Sequence, residues 1–137
     1  MIISDYRLYR TRLRCKKPFH IATGTSDVCH GLLLELKTAE GVSGWGEAVP
    51  HPYLTGETVD GCRAVLAQNL VPAIMGLAPW SIETAHERMR AAVSGHPAAR
   101  AAVDLALHDL TGRLWKIPVA NCSADVADRS RPITASA

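Results

Sequence analysis

The residues that could do acid–base or metal chemistry are few and scattered. Asp104 and His108 are four residues apart, so a helix would place them on one face, and Asp109 lies beside them. A metal site also needs further ligands and an open position, so a hydrogen bond along the helix edge is the favoured interpretation. Ser94 and His96 are too close together for a nucleophilic triad and have no acidic partner in register. Spacing therefore predicts no catalytic and no metal-binding residues.

Two further features leave alternatives open. His20 and His51 lie in loops or beside prolines, where a lone histidine is usually exposed. Glu47 is a carboxylate that no pattern assigns: it either forms a salt bridge within the domain or faces a ligand. Gly44-Trp45-Gly46 is not a dinucleotide-binding fingerprint, because no third glycine follows and no helix starts there.

Length and composition indicate one ordinary globular domain. The chain has 137 residues, of which 47% are hydrophobic and 20% charged, and a net charge of +2. No apolar run approaches the roughly 20 residues that cross a bilayer, and no secretory signal begins the chain. We therefore expect a cytoplasmic protein with no membrane partner.

Four basic residues alternate along the first predicted strand, and four cysteines are spread over the chain. Alternation puts the basic side chains on one strand face, but no aromatic residue interleaves with them to stack bases, so no nucleic-acid partner is expected. The cysteines form no CxxC pair, which favours reduced packing residues over a metal site or disulfides. The basic residues are Arg10, Arg12, Arg14 and Lys16, and the cysteines are Cys15, Cys29, Cys62 and Cys122.

The first third of the chain predicts the sheet that would position any site. Ile2–Lys17 favours an extended strand, and Pro18–Asp27 is rich in proline, glycine and small polar residues, which predicts a loop. Val28–Thr38 alternates apolar and polar residues, and Ala39-Glu40-Gly41 turns the chain into a third strand, Val42–Ala48. These features predict a three-stranded antiparallel meander with one face to bury.

The remaining chain predicts helices. Thr55, Gly56 and Glu57 could start a first helix that runs to Pro72, and Ser81 could cap a second that ends at Gly95. Pro97 to about Leu114 predicts the longest and least polar helix, which should be buried on more than one side. Beyond Lys116 the chain leaves the helix and becomes polar and loop-like. The fold class is therefore α+β, with the meander followed by a bundle of three or four helices.

Several ordered segments resemble the N-terminal capping domain of the enolase superfamily, in the subgroup of muconate-lactonizing enzymes and dipeptide epimerases. The resemblance covers about residues 1 to 120. It rests on Lys17-Pro18-Phe19 with Gly24 and Thr25, on Glu40-Gly41-Val42 through Gly44-Trp45-Gly46-Glu47-Ala48, on Leu54-Thr55-Gly56-Glu57-Thr58, on Pro97-Ala98-Ala99-Arg100 through Leu110, and on Ile117-Pro118-Val119.

The resemblance implies a cap that closes over a (β/α)7β barrel. In that barrel Mg2+ held by acidic residues stabilises an enediolate, while a lysine removes the proton alpha to the carboxylate of a small substrate. Two cap loops choose the substrate and exclude water. Carried over by position, the substrate-binding residues are Phe19, His20, Thr23 and Thr25 in the first loop and Tyr53, Leu54 and Thr55 in the second.

The chain departs from the family pattern after the cap. A barrel needs roughly 200 residues or more, and the part that would carry the lysines and metal ligands is absent. We expect residues 1–115 to form the capping domain and residues 116–137 a linker with a truncated first barrel strand at Pro132–Ala137. Alone, the chain should be inactive, bind no metal of its own and form a homo-oligomer through exposed apolar surface. The alternative is a stand-alone module with the cap fold that binds a small ligand or a protein.

Overall fold

A computed structural model describes residues 1–21 and 24–123. Three antiparallel strands form one sheet in the order β1-β2-β3, with β1 at Ile3–Ile21, β2 at Gly24–Thr38 and β3 at Ser43–Ala48. Gly41 makes the turn before β3 with a φ of 86°, a left-handed conformation that glycine adopts without strain. The predicted meander is confirmed.

For its described residues the predicted loop at Pro18–Asp27 is wrong, because β1 continues to Ile21, β2 starts at Gly24 and the two strands pair as a long ribbon. Phe19 pairs with Ser26, His20 with Thr25 and Ile21 with Gly24. The register shifts between Arg14 and Phe19, so Pro18 lies in an irregular part of the strand. A proline has no N–H to donate and is tolerated at such an irregularity. The proline therefore marked an irregularity in the strand pair.

One face of the sheet is covered by helices. Leu32, Leu34 and Leu36 of β2 have no exposed surface, as their alternation predicts. The helices are α1 at Val59–Val65, α2 at Val71–Ile74, α3 at Ile82–Ala92, α4 at Pro97–Trp115 and α5 at Val119–Ser123. The α+β fold class is confirmed.

The first helix differs from its prediction at both ends. Thr58 is its N-cap and accepts a hydrogen bond from the backbone N–H of Gly61 at 3.0 Å, so the helix begins later than Thr55. At the other end a π-helical turn at Leu66–Leu70 leads into α2, which includes Pro72 in its first turn. A proline is tolerated there because the first turn of a helix needs no N–H donor.

The long helix α4 confirms its predicted span and is the centre of the helical half. Val103, Leu107 and Leu110 are buried, and so are the small side chains of Ala102 and Ala106. The short helix α5 follows Pro118 and was not predicted. The predicted barrel strand at Pro132–Ala137 lies outside the described residues. Among residues 1–21 and 24–123, no helix combines the length and apolar character needed to cross a membrane.

Candidate functional site

Both loops predicted to bind substrate leave the same end of the sheet. β3 runs antiparallel to β2 and ends at Ala48, which stands opposite Leu32. From Leu32, β2 extends back toward its first residue, Gly24, at the end of the ribbon. The distance from Leu32 to Gly24 is roughly 25 Å, at about 3.3 Å per residue. The second loop, Val49–Gly56, starts where β3 ends. The sheet topology thus puts the two loops at one end of the molecule.

The first loop is a strand pair rather than a flexible loop. His20 and Thr25 stand opposite each other, and the His20 Nδ1 lies 2.9 Å from the Thr25 hydroxyl. Both residues are exposed. Phe19 belongs to the same pairing through its backbone, and Thr23 lies outside the described residues. The structure therefore brings His20 and Thr25 together as one polar pair near the ribbon tip.

The second loop is a tight turn that presents two large apolar side chains. The carbonyl of His51 accepts hydrogen bonds from the N–H of Leu54 at 3.1 Å and of Thr55 at 3.0 Å. Tyr53 and Leu54 are 76% and 73% exposed, which is unusual for side chains of their size.

His51 is a member of this turn that sequence reasoning missed. Its ring lies edge-on to Tyr53, with centroids 6.0 Å apart, and its Nδ1 is buried with no hydrogen-bond partner among the described residues. Prolines on both sides, Pro50 and Pro52, limit the backbone freedom of the loop. The flanking prolines were the available sequence signal.

Glu57 anchors the second loop to the helical half. Its buried carboxylate accepts hydrogen bonds from the backbone N–H of Ala98 and Ala99, at 3.0 to 3.3 Å, and from the Thr55 hydroxyl at 2.7 Å. Ala98 and Ala99 lie in the first turn of α4, whose N-cap residue His96 makes no side-chain capping bond. A carboxylate is favoured at a helix N-terminus because the unpaired N–H groups and the helix dipole are positive there.

Two glycines let α4 lie directly against β3. A Cβ atom added to Gly46 would come within 1.9 Å of the Ala102 carbonyl oxygen, and one added to Gly44 within 2.5 Å of the Ala106 carbonyl oxygen. No side chain fits in that space. This contact holds β3, which leads into the second loop, against α4. Glu57 caps the N-terminus of the same helix.

Asp109 completes this junction at the free edge of the sheet. Its carboxylate accepts a hydrogen bond from the backbone N–H of Trp45 at 2.9 Å and one from the Arg113 side chain at 2.9 Å. An edge strand otherwise presents an unpaired N–H at this position. Asp109 was noted in the sequence only as a neighbour of a possible metal ligand, and its partner is 64 residues away.

The outer face of the sheet, opposite the helices, carries a polar network around Glu35. Tyr9 and Ser43 donate hydrogen bonds to its carboxylate at 3.0 and 2.8 Å, and the Lys37 ammonium lies 3.2 Å away. Burial raises the pKa of Glu35, but these three partners outweigh burial and hold the pKa below its ordinary value. The Trp45 ring stacks on Tyr9 with centroids 5.6 Å apart.

Glu47 shares this outer face with Trp45, as their spacing predicts, and it is exposed. Within the described part of the chain it has no ion-pair partner, so the predicted alternative of an internal salt bridge is not observed. It lines a shallow concavity with Trp45, Leu105 and Val119. None of the residues predicted to bind substrate lines this concavity.

Asp104 and His108 do not form a metal site with the other described residues. Asp104 pairs with His86 of α3 at 2.6 Å, while the His108 ring bonds the Asp104 carbonyl at 2.9 Å. Residues 1–21 and 24–123 contain no group of three or more His, Cys, Asp or Glu side chains placed to hold a metal ion. The pairing is a helix-to-helix and helix-edge contact.

The four cysteines are free thiols. Cys62 is buried between α1 and the core, and burial, with the nearby Glu57 carboxylate, raises its pKa to about 11. A thiol that resists ionisation is a poor nucleophile near neutral pH. Cys62 is therefore a packing residue.

The chain is similar to the N-terminal domain of a known enzyme family and to two curated relatives. The family model described as mandelate racemase / muconate lactonizing enzyme, N-terminal domain, matches residues 5–122. The N-succinyl-L-Arg/Lys racemase of Bacillus cereus is 34% identical over 119 residues, which is 87% of this chain and 32% of the racemase. The hydrophobic dipeptide epimerase of Enterococcus faecalis is 35% identical over 119 residues, 87% of this chain and 33% of the epimerase.

Solved structures agree with this similarity. The dipeptide epimerase of Enterococcus faecalis V583, complexed with Mg and the dipeptide L-Leu-L-Tyr, superimposes with a TM-score of 0.84 at 35% identity, over 88% of this chain and 34% of that chain. The chain thus spans about a third of the length of the relatives it matches.

Proposed function

The chain belongs to the mandelate racemase / muconate lactonizing enzyme family of the enolase superfamily, and from this premise we propose that it is the substrate-capping domain of an isomerase. One observation carries the proposal: the two loops that would meet the substrate leave the same end of the sheet.

The packing beneath the loops supports this role. Glu57 ties the second loop to the first turn of α4, and Gly44 and Gly46 seat the same helix on β3. Binding residues work best when rigid elements hold their backbone. Tyr53 and Leu54 then project from a fixed turn and can exclude water from a ligand below them.

The reaction we propose for the whole enzyme is removal and return of the proton alpha to a substrate carboxylate, as a racemase, epimerase or cycloisomerase. An E. faecalis relative was solved with Mg. The described residues of this chain contain no group of ligands that fits Mg2+, so we assign it no metal-dependent step and no catalytic residue. Its contribution is to bind, orient and shield the substrate.

The remaining proposals concern organisation. We propose residues 1–115 as the cap, residues 116–137 as the link toward a barrel, a cytoplasmic location and assembly into homo-oligomers. Support for assembly comes from exposed apolar side chains on the helical half. Trp80 and Trp115 stack with centroids 5.9 Å apart, yet are 40% and 43% exposed, and Leu105 is 51% exposed.

A domain exchange tests the proposal. In the dipeptide epimerase of E. faecalis, the N-terminal domain is replaced by residues 1–122 of this chain, and exchange of the alpha proton is followed by NMR in D2O with Mg2+. We expect the chimera to exchange the alpha proton of dipeptides and this chain alone to exchange none. Turnover by the chain alone would overturn the assignment of the chemistry to a barrel.

The same experiment addresses the alternative role. A well-folded chimera without activity, together with saturable binding of a small ligand by this chain alone, would favour a stand-alone binding module. Circular dichroism and a cooperative thermal transition establish that the chimera is folded.

A further inference from the structure

Similarity alone does not choose the substrate's side chain. The names of the two curated relatives point to cationic side chains in one case and apolar side chains in the other, and their identities to this chain are almost equal. The charges that surround the two loops provide an independent criterion. This criterion rests on the proposed capping role.

A strip of positive charge runs along the ribbon on the side where the second loop lies. Arg10, Arg12 and Arg14 alternate along β1 in continuous register, so they share the sheet face that the helices cover. Arg10 bonds Asp60 in the first turn of α1, which places this face beside the start of the helix that follows the second loop. Arg12 and Arg14 are exposed and lie about 7 and 13 Å beyond Arg10 along the strand.

The carboxylates on this side are already engaged. Glu57 is buried against the N-terminus of α4, and Asp60 is paired with Arg10. Glu47 belongs to the opposite sheet face by strand alternation, and Glu35 on that face is held by Tyr9, Ser43 and Lys37. On the side of the second loop, the regularly paired residues 6–14 and 28–38 and the loop itself therefore offer a substrate no free carboxylate.

We infer that the cap selects substrates whose side chain carries no positive charge. A cationic side chain brought under Tyr53 and Leu54 would lose water, would find no free carboxylate among the described residues on this side and would be repelled by Arg12 and Arg14. Removing a charge from water without a partner costs far more than removing an uncharged side chain. An uncharged side chain avoids both costs, and an acidic side chain is attracted by Arg12 and Arg14 in place of being repelled.

Three dipeptides that differ only in the second side chain test the inference: L-Ala-L-Leu, L-Ala-L-Glu and L-Ala-L-Lys. In the chimera with the E. faecalis barrel, we expect kcat/KM for L-Ala-L-Lys to be at least about tenfold below the other two, within the range that one pocket contact discriminates. The Arg12→Glu/Arg14→Glu variant should reduce this difference by about threefold or more at low salt, and salt should weaken that effect because these arginines are exposed.

Charge reversal outside the loops, the ribbon and α1 provides the control. Arg88→Glu/Arg90→Glu makes the same change in net charge at two exposed positions on α3 and should leave the ratio unchanged. Equal or better turnover of L-Ala-L-Lys, or a ratio that does not respond to Arg12→Glu/Arg14→Glu, would overturn the charge selection while the capping role stands.

An inactive full chimera would count against the capping role. The charge selection can then still be tested in a second host. The E. faecalis enzyme then receives only residues 12–28 and 49–56 of this chain in place of its own two loops, and the same three substrates are compared. A shift away from L-Ala-L-Lys relative to the unmodified enzyme supports the selection, and no shift overturns it.

Discussion

Glu57 and Ala98 are 41 residues apart in sequence, yet both carboxylate oxygens of Glu57 lie within 3.1 Å of the Ala98 backbone nitrogen. The residue that follows the second loop therefore caps the N-terminus of the longest helix with its side chain. Loop position and helix stability depend on the same carboxylate.

Replacing Glu57 should destabilise the chain. Glu57→Ala leaves the N–H groups of Ala98 and Ala99 without an acceptor, and we expect a loss of about 1 to 3 kcal/mol in the free energy of unfolding. Urea denaturation followed by circular dichroism measures it. Glu87→Ala, at an exposed position of α3, is the matched control and should change stability by less than about 0.5 kcal/mol. Equal losses in both variants would contradict the capping role of Glu57.

A methyl group at Gly46 should separate β3 from α4. Because the added Cβ would lie 1.9 Å from the Ala102 carbonyl oxygen, Gly46→Ala forces the helix or strand to move, at a cost of about 3 kcal/mol or more. Glu47→Ala changes the neighbouring residue, which is exposed, and should be nearly neutral. A Gly46→Ala chain with unchanged thermal stability would show that this close contact is absent in solution.

Removing the Asp109 carboxylate should open the free edge of the sheet. Asp109→Ala leaves the Trp45 N–H without its acceptor, so we expect faster hydrogen exchange at that amide and a loss of about 1 to 2 kcal/mol. Asp109→Asn keeps an oxygen in place and should restore most of the protection. Unchanged exchange at Trp45 in Asp109→Ala would contradict the assignment.

The Cys62 thiol predicts a loss of stability at alkaline pH. Its pKa in the folded chain is about 11, against 9.0 for an unperturbed thiol. As pH rises above 9 the unfolded chain gives up this proton while the folded chain keeps it, so folding becomes less favourable between pH 9 and 11. Cys62→Ala should show a shallower decline of stability across this range.

Labelling with a thiol reagent at pH 8 should modify Cys62 more slowly than Cys15 and Cys29, and equal rates would contradict its burial.

Tyr53 and Leu54 should matter for substrate binding and not for stability. Both side chains are mostly exposed, so Tyr53→Ser/Leu54→Ser should change the unfolding free energy by less than about 1 kcal/mol. In the chimera with the E. faecalis barrel, the same variant should raise KM for L-Ala-L-Leu by about tenfold, because the apolar cover is lost. An unchanged KM would remove these two residues from the site.

Local patterns in the sequence predicted most of the fold. Alternation identified β2 and its buried leucines, and helical periodicity identified α4 with its correct start at Pro97. Residues 18–21 and 24–27 were mistaken for loop residues because proline, glycine and small polar residues are common to loops and to irregular strand pairs. The start of α1 was placed too early because Thr55 and Thr58 are both suitable caps, and in the structure Thr58 is the N-cap, accepting a hydrogen bond from the Gly61 N–H.

The support of the site could not be read from local spacing. Glu57 was expected at the N-terminus of the helix next to it, but its partner is the helix that begins 40 residues later. Asp109 and Trp45 were likewise separate features until the fold joined them. Such contacts depend on how elements pack, which a single sequence does not specify at the level of one residue.

Gly44 and Gly46 also restrict the register in which β3 can pair with β2. Side chains alternate between the two faces of a strand, so a shift of β3 by one residue along β2 would turn Trp45 toward the helix in place of a glycine. An indole has no room where a single methyl already collides. α4 can therefore pack only against a hairpin in the correct register. This packing fixes the position of the second loop in the absence of a ligand.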